Sequence, residues 1–521
     1  MAIAHTHSVA LVGVTGHVIE VEADIANGLP GMTLVGLPDT ALREARDRIR
    51  AAILNSDEKW PQCRITVGLS PASLPKRGSW FDLAIACGIL AAAGAVPRAA
   101  LDGVMFFGEL GLDGRLRPVR GVLPAVVAAA REGFATAMVA VENAAEAALV
   151  PGMRVIAAGS LTAAADWLRG TPGLHSEVEP AAEFTSGEGH GEQPARDRPA
   201  GSGIDLAEVL GQSMARQALE ICAAGGHHLS LLGPPGAGKT MLAERLPTIL
   251  PPLDWAAALD VTSIHSVAGT LPPQVPLLTS PPFLAPHHTA SKSAIVGGGT
   301  GSIRPGAASL AHRGVLFLDE APEFQRDVLD ALRQPLESGE IVLARSGAAA
   351  RFPARFTLVL AANPCPCARA AGPSEGCSCS PAARRRYLGR ISGPLLDRVD
   401  VKIELMPVGR KELLNDRGFA ESSKDVAVRV AAARERAAGR LRDTPWRVNA
   451  EVPGSELRRS WPPGPGALAD VERALERGTI SARGVVKVIR VGWTIADLAG
   501  KDRPGRAECN SALGLWLGVI K

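Results

Sequence analysis

The sequence predicts a multidomain α/β protein in three parts: an N-terminal α+β domain over residues 1–170, a P-loop α/β core over 204–408 and a C-terminal helical region over 409–521. Three observations carry this. Gly233-Pro234-Pro235-Gly236-Ala237-Gly238-Lys239-Thr240 fits G-x-x-x-x-G-K-[ST] in full, between the apolar run His228–Leu232 and the helix-compatible Met241–Leu246. About 80 residues later Val315-Leu316-Phe317-Leu318 reads as a buried parallel strand that delivers Asp319 and Glu320 to a sheet edge. Between the first two parts, residues 171–203 are rich in Pro, Gly, Ser and Glu and lack hydrophobic periodicity, which predicts a flexible linker.

Length and composition set limits. A chain of 521 residues with 46% hydrophobic content can build several cores, and a net charge of +3 names no partner. Arginine is concentrated in 384–520, however, and acidic residues near 176–192. The longest apolar run, Leu83–Val96, suits a buried helix better than a membrane span, so a cytoplasmic protein is expected. Eight cysteines in that setting point to reduced thiols or a metal site rather than a disulfide framework.

Taking the elements in order, Val9–Val14, Val18–Ala23 and Arg64–Leu69 read as strands, and Thr40–Leu54 as an amphipathic helix capped by Asp39. An Ala-rich helix (Phe81–Ala93), a hairpin turning at Gly114 and a helix near Leu123–Arg131 follow. Within this part Pro75-Lys76-Arg77-Gly78-Ser79-Trp80-Phe81-Asp82 resembles the nucleophile loop of Lon-type proteases, with Trp80 where the serine stands. That resemblance implies a Lon-like or ribosomal-S5-like fold serving as scaffold, not a peptidase.

The P-loop is predicted to hold a nucleoside triphosphate, because its glycines let backbone N–H groups converge on phosphate oxygens at a helix N-terminus. Lys239 is expected at the β/γ-phosphates and Thr240 on Mg²⁺. Asp319 is expected in the Mg²⁺ shell, and Glu320 as the group that orients the attacking water. A further strand, Phe356–Ala361, ends at Asn363, placed to hydrogen-bond water or γ-phosphate. Beyond it, Cys365-Pro366-Cys367 and Cys377-Ser378-Cys379 form C-x-C-x₉-C-x-C, a set that can close on a structural Zn²⁺; an unmetallated, redox-labile loop is the alternative. Asp425–Leu441, Ala467–Arg477, Ser481–Ala499 and Ala507–Leu517 carry apolar residues at helical spacing.

The order P-loop, insert (about 265–305), Asp-Glu strand and Asn-terminated strand resembles an AAA+ ATPase. Pro286-His287-His288-Thr289-Ala290-Ser291, Val296-Gly297-Gly298-Gly299, Arg304-Pro305-Gly306, Ser309–Gly314 and Pro322-Glu323-Phe324 resemble its magnesium-chelatase-like branch, and within it the ComM/YifB subfamily, over nearly the whole chain. The resemblance implies a hexameric DNA motor acting in branch migration of recombination intermediates, with a C-terminal helical lid over the nucleotide. It also implies that Arg398, in Leu395-Leu396-Asp397-Arg398-Val399-Asp400, reaches a neighbour's γ-phosphate, and that Arg483 is a lid arginine contacting phosphate in its own subunit. A finger supplied in trans requires head-to-tail packing, which closes as a ring. Single-stranded or branched DNA is expected to bind without sequence preference, through candidates such as Arg384, Arg385, Arg386, Arg390 and Lys292. Two other readings are a chelatase-type ATPase that remodels a protein partner and a Lon-like ATP-dependent protease, the latter disfavoured by Trp80.

Overall fold

The computed structural model describes residues 2–36, 39–74, 76, 78–178, 204–272, 275–299, 303–345, 348–367, 377–409 and 420–518. Its first unit is built on a long hairpin, β1 (Ala2–Val12) and β2 (Thr15–Ala26). To these the chain adds β3 (Gly31–Val35), β4 (Arg64–Ser70), β5 (Val104–Phe106), a short hairpin of β6 (Glu109–Leu110) and β7 (Leu116–Arg117), then β8 (Thr136–Ala140), β9 (Arg154–Ala158) and β10 (His175–Val178). The mixed eight-stranded sheet runs β10-β9-β8-β5-β1-β2-β4-β3. Alternation along β2 and β4 sends one set of side chains into a core beneath the buried helix Asp82–Ala92. The helix Val122–Arg131 covers the other face.

The expected linker therefore starts later than its composition suggested. Residues 175–178 form the edge strand β10, antiparallel to β9, and Arg154 clamps Glu177 across the pair at 2.6 and 2.8 Å. An edge strand needs only backbone pairing on one side, so the polar His175-Ser176-Glu177-Val178 gives no hydrophobic signal. The rest of the expected linker, 179–203, lies outside the described residues.

The second unit is a parallel sheet ordered β12-β13-β16-β11-β17, made of β11 (Leu229–Leu232), β12 (Phe283–Leu284), β13 (Val315–Leu318), β16 (Thr357–Ala362) and β17 (Val401–Glu404). β13 is buried throughout and β16 nearly so, as expected for parallel strands covered on both faces. A hairpin of β14 (Glu340–Arg345) and β15 (Ala348–Pro353) leaves the sheet between β13 and β16 and touches the first unit, where Gly13 bridges Arg351.

The C-terminal helices Ser423–Arg440, Ala469–Glu476, Ala482–Leu498 and Arg506–Leu517 match the periodicity closely, and Ser481 caps the third by accepting from Gly484 N at 3.2 Å. This helical part packs directly on the core. Val426, Val430, Val488, Val491 and Leu515 share one apolar core with Leu229 and Leu231 of β11 and Leu242 of the P-loop helix. Among the described residues no helix is long and apolar enough to cross a membrane.

The two units also share a core. Ala258 and Leu277 are buried with Val122, Leu123 and Val126, so the helix Trp255–Ala268 of the second unit packs on the helix Val122–Arg131 of the first. Buried Glu146 reinforces the contact by accepting from Ser266 Oγ at 2.8 Å and from Asn143 Nδ2 at 2.8 Å.

Candidate nucleotide-hydrolysis site

β11 runs into the loop 233–240, and the helix Lys239–Ile249 starts at its end. Gly236 and Gly238 have φ of 78° and 88°, a left-handed backbone that side-chain-bearing residues avoid, and this curl is what turns the loop's N–H groups inward. Gly233 N bonds Ala362 O at 3.1 Å, fixing the loop to the end of β16. The same edge then collects the predicted side chains. Lys239 Nζ donates to Asn363 Oδ1 at 2.9 Å and to the carbonyls of Gly233 and Pro234 at 2.7 and 3.0 Å. Thr240 Oγ1 donates to Asp319 Oδ2 at 2.8 Å, and Glu320 N to Asp319 Oδ1 at 2.9 Å. Burial holds the Lys239 pKa below its ordinary value, against the opposing pull of Asp319 and Glu320.

Two pairings at this edge escaped sequence reasoning. His288 Nδ1 lies 3.3 Å from Glu320 Oε2, at a residue whose backbone is left-handed (φ 50°) although it is not glycine. Its neighbour His287 instead bonds Thr289 Oγ1 at 2.8 Å. Burial, with Glu323 and Glu320 nearby, pushes the Tyr387 hydroxyl up to about 12, against the opposing pull of the Asn363 backbone N–H. No spacing rule joins residue 288 to 320 or 387 to 363; these pairings exist only once the sheet is assembled.

Arg398 and Arg483 lie elsewhere. Both line a cavity of about 1010 Å³ together with His228, Gly314 and Thr357, which precede or begin β11, β13 and β16. That is the N-terminal edge of the parallel sheet, opposite the P-loop. Arg483 is therefore not placed to meet phosphate in its own subunit, contrary to the sequence expectation. The reason is packing: the helix Ala482–Leu498 is buried behind the sheet, and Lys487, one turn on, bonds Asp400 Oδ1 at 2.7 Å and Arg398 O at 2.9 Å. Arg398 donates to Glu337 and, at 2.6 Å, to Pro394 O. Arg313, Arg355 and Arg434 line the same cavity, giving it a strongly basic wall.

All four cysteines of the C-x-C pairs converge. Cys365 Sγ lies 3.2 Å from both Cys367 and Cys377, Cys367 lies 3.5 Å from Cys377, and the four sulfurs lie within 4.8 Å of one another. Cys63, Cys87, Cys222 and Cys509 are free thiols. Of the basic DNA candidates, Arg385, Arg386 and Lys292 are exposed, whereas Arg390 is committed to Glu323 at 2.9 Å.

Three family models match the chain. Residues 205–413 match the family model described as magnesium chelatase, subunit ChlI; residues 21–143 match that of subunit ChlI of Mg-chelatase; residues 420–515 match its C-terminal model. The chain is 42% identical over 517 residues to competence protein ComM of Haemophilus influenzae, covering 99% of this chain and 97% of the relative. The chain belongs to the magnesium-chelatase-like ComM/YifB subfamily. An uncharacterized protein YifB of Escherichia coli is 40% identical over 514 residues, covering 98% and 97% of the two chains, and an uncharacterized Mycobacterium tuberculosis protein is 51% identical over 513, covering 98% of each. The magnesium-chelatase 38 kDa subunit of Rhodobacter capsulatus is 29% identical over 195 residues, 33% of this chain and 55% of that one. Membership of the ComM/YifB subfamily suggests an AAA+ ATPase and implies use of ATP and Mg²⁺, and the donor set at the P-loop edge fits both: a lysine, a threonine–aspartate pair and an adjacent glutamate.

Proposed function

We propose that this chain is an AAA+ DNA motor that hydrolyses ATP, assembles head-to-tail into a hexameric ring and drives branch migration of recombination intermediates. The observation that carries the proposal is the placement of two incomplete half-sites on opposite edges of one sheet. Lys239, Thr240, Asp319, Glu320 and Asn363 occupy one edge, and Arg398 and Arg483 the other. Head-to-tail packing brings one copy's arginines to the next copy's P-loop. Within the joined site Lys239 binds the β- and γ-phosphates in place of its present carbonyl partners; Thr240 and Asp319 would hold Mg²⁺, which would supply positive charge beside the transferring phosphoryl group. Glu320, braced by His288, orients the attacking water; Asn363, released from Lys239 Nζ, hydrogen-bonds that water or the γ-phosphate; Arg398 and Arg483 stabilise transition-state charge from across the boundary.

The link to DNA draws on the Haemophilus relative's name as a competence protein and on the exposed Arg385, Arg386 and Lys292. In this reading the N-terminal unit is a Lon-like scaffold. Trp80, in the place of the serine, packs edge-on against Phe107, and Ser79 is bonded to Glu109 rather than to a histidine or lysine base. The cysteine cluster holds a structural Zn²⁺ in the same reading.

The test is steady-state ATPase activity without DNA and with single-stranded, duplex and four-way branched DNA at fixed salt, with Lys239→Ala as the blank. Stimulation of ~10-fold or more that weakens with rising salt is expected. Equal turnover with and without DNA, in protein that forms rings, would overturn the motor reading and favour a chelatase-type ATPase remodelling a protein partner.

A further inference from the structure

The cysteine cluster sits between the two ends of the segment that buttresses Asn363. β16 ends at Ala362, Asn363 holds Lys239 Nζ, and Cys365 follows two residues later, almost fully buried. The chain returns through Cys377 and Cys379 directly into the helix Pro381–Leu388, which Ser380 caps by accepting from Ala383 N at 3.2 Å. That helix carries the buried Tyr387, whose hydroxyl is near enough to Asn363 for the backbone N–H there to act on it. The four sulfurs thus join the residues just after Asn363 to those that open the helix carrying Tyr387.

The sulfur geometry suits a tetrahedral metal ion. Separations of 3.2, 3.2 and 3.5 Å are too long for disulfides, whose S–S bond is about 2.0 Å. They lie close to the edge of a tetrahedron about 3.8 Å long that four thiolates make around Zn²⁺ at about 2.3 Å. Four thiolates and one Zn²⁺ leave two negative charges. The Cys379 backbone N–H donates to Cys377 Sγ at 3.4 Å, and the Arg384 guanidinium interacts with Cys377, so the surroundings offset that charge. All four ligand positions come from protein, as in closed structural sites rather than catalytic ones.

We infer that Zn²⁺ held by Cys365, Cys367, Cys377 and Cys379 is a positioning element for Asn363, so that metal occupancy sets the rate of ATP hydrolysis without setting nucleotide affinity. This rests on the zinc reading above and adds to it a consequence at the P-loop edge. The metal staples the departure of the chain after Asn363 to the base of the helix that supplies Tyr387. Without the staple, Asn363 keeps its covalent place at the end of β16 but loses the brace that fixes its amide. The P-loop itself, anchored through Gly233 N on Ala362 O, stays in place.

The experiment measures zinc content by mass spectrometry, nucleotide affinity with a fluorescent ADP analogue, and kcat, on the full chain and on Cys365→Ser, Cys379→Ser and Tyr387→Phe. The full chain is expected to carry about one zinc per copy. The cysteine variants should lose the metal and at least ~10-fold in kcat, with affinity changed less than ~2-fold. Tyr387→Phe retains every metal ligand, so it should keep the zinc and still lose kcat, and it remains informative if the cysteine variants fail to fold. In an Asn363→Ala background neither change should lower kcat further. A full chain purified without metal after growth in zinc overturns the zinc reading itself. A metal-bearing chain in which Tyr387→Phe and zinc loss leave kcat unchanged, or add to Asn363→Ala independently, overturns the positioning role and leaves the zinc site standing.

Discussion

Single side chains at the N-terminal edge of the core sheet tie the fold to pH. His228 Nδ1 accepts from Leu358 N at 3.1 Å, and His312 Nδ1 accepts from Arg355 N at 3.0 Å. Each nitrogen must be an unprotonated acceptor, because a backbone N–H can only donate. Burial lowers the pKa values of His227 and His228 to about 4 and that of His312 to about 3, with Arg313 and Arg355 adding to the last. Between the ordinary value of 6.5 and these values the unfolded chain binds protons that the folded chain does not. Stability is therefore fully present above about pH 6.5 and drains as pH falls through 4 and 3, by up to ~1.4 kcal/mol per pH unit for each histidine. His312→Asn keeps an acceptor near Nδ1 but cannot titrate. Its deficit in thermal midpoint relative to the unaltered chain should be largest at pH 7 and shrink toward pH 4.5; a deficit constant across that range would refute the linkage.

At the scale of elements, β17 and the helix Ala482–Leu498 are locked by the buried pair Asp400 and Lys487. Burial pushes the Asp400 pKa up, but the Lys487 ammonium and the neighbouring His227 and His228 hold it well below the usual carboxylate range. Lys487→Met strands that carboxylate inside the protein and should cost about 3–5 kcal/mol, seen as a lower thermal midpoint. Adding Asp400→Asn, which still accepts from His228 N, should recover part of the loss. Equal melting of the single and double variants would show that the charge is not what matters. This lock also explains what the sequence could and could not reveal. The P-loop, the Asp-Glu strand and the terminal Asn363 were legible because each is a local pattern that works at one end of a strand. The four C-terminal helices were legible from periodicity, but periodicity gives only the buried face. Nothing local told whether Ser481–Ala499 leans toward the C-terminal edge of the sheet or the N-terminal one, and the Asp400–Lys487 contact decides it.

For the whole molecule, the division of the site predicts how mixed assemblies behave. If Arg398 and Arg483 both act across a boundary, Lys239→Ala subunits mixed with Arg398→Ala or with Arg483→Ala subunits should regain activity, since some boundaries then pair an intact P-loop with intact arginines. Arg398→Ala mixed with Arg483→Ala should regain none, because every boundary lacks one arginine. Recovery in that last mixture, measured as ATPase activity of assembled rings, would return Arg483 to its own subunit's nucleotide.

The packing of the helix Trp255–Ala268 on the helix Val122–Arg131, sealed by Glu146 and Ser266, has a mechanical meaning. The covalent tether through 179–203 is then not the route by which force travels. If the chain works as the motor proposed above, a push that begins at the P-loop reaches the N-terminal unit through side-chain contact, as torque passes between keyed shafts, so the two units turn together.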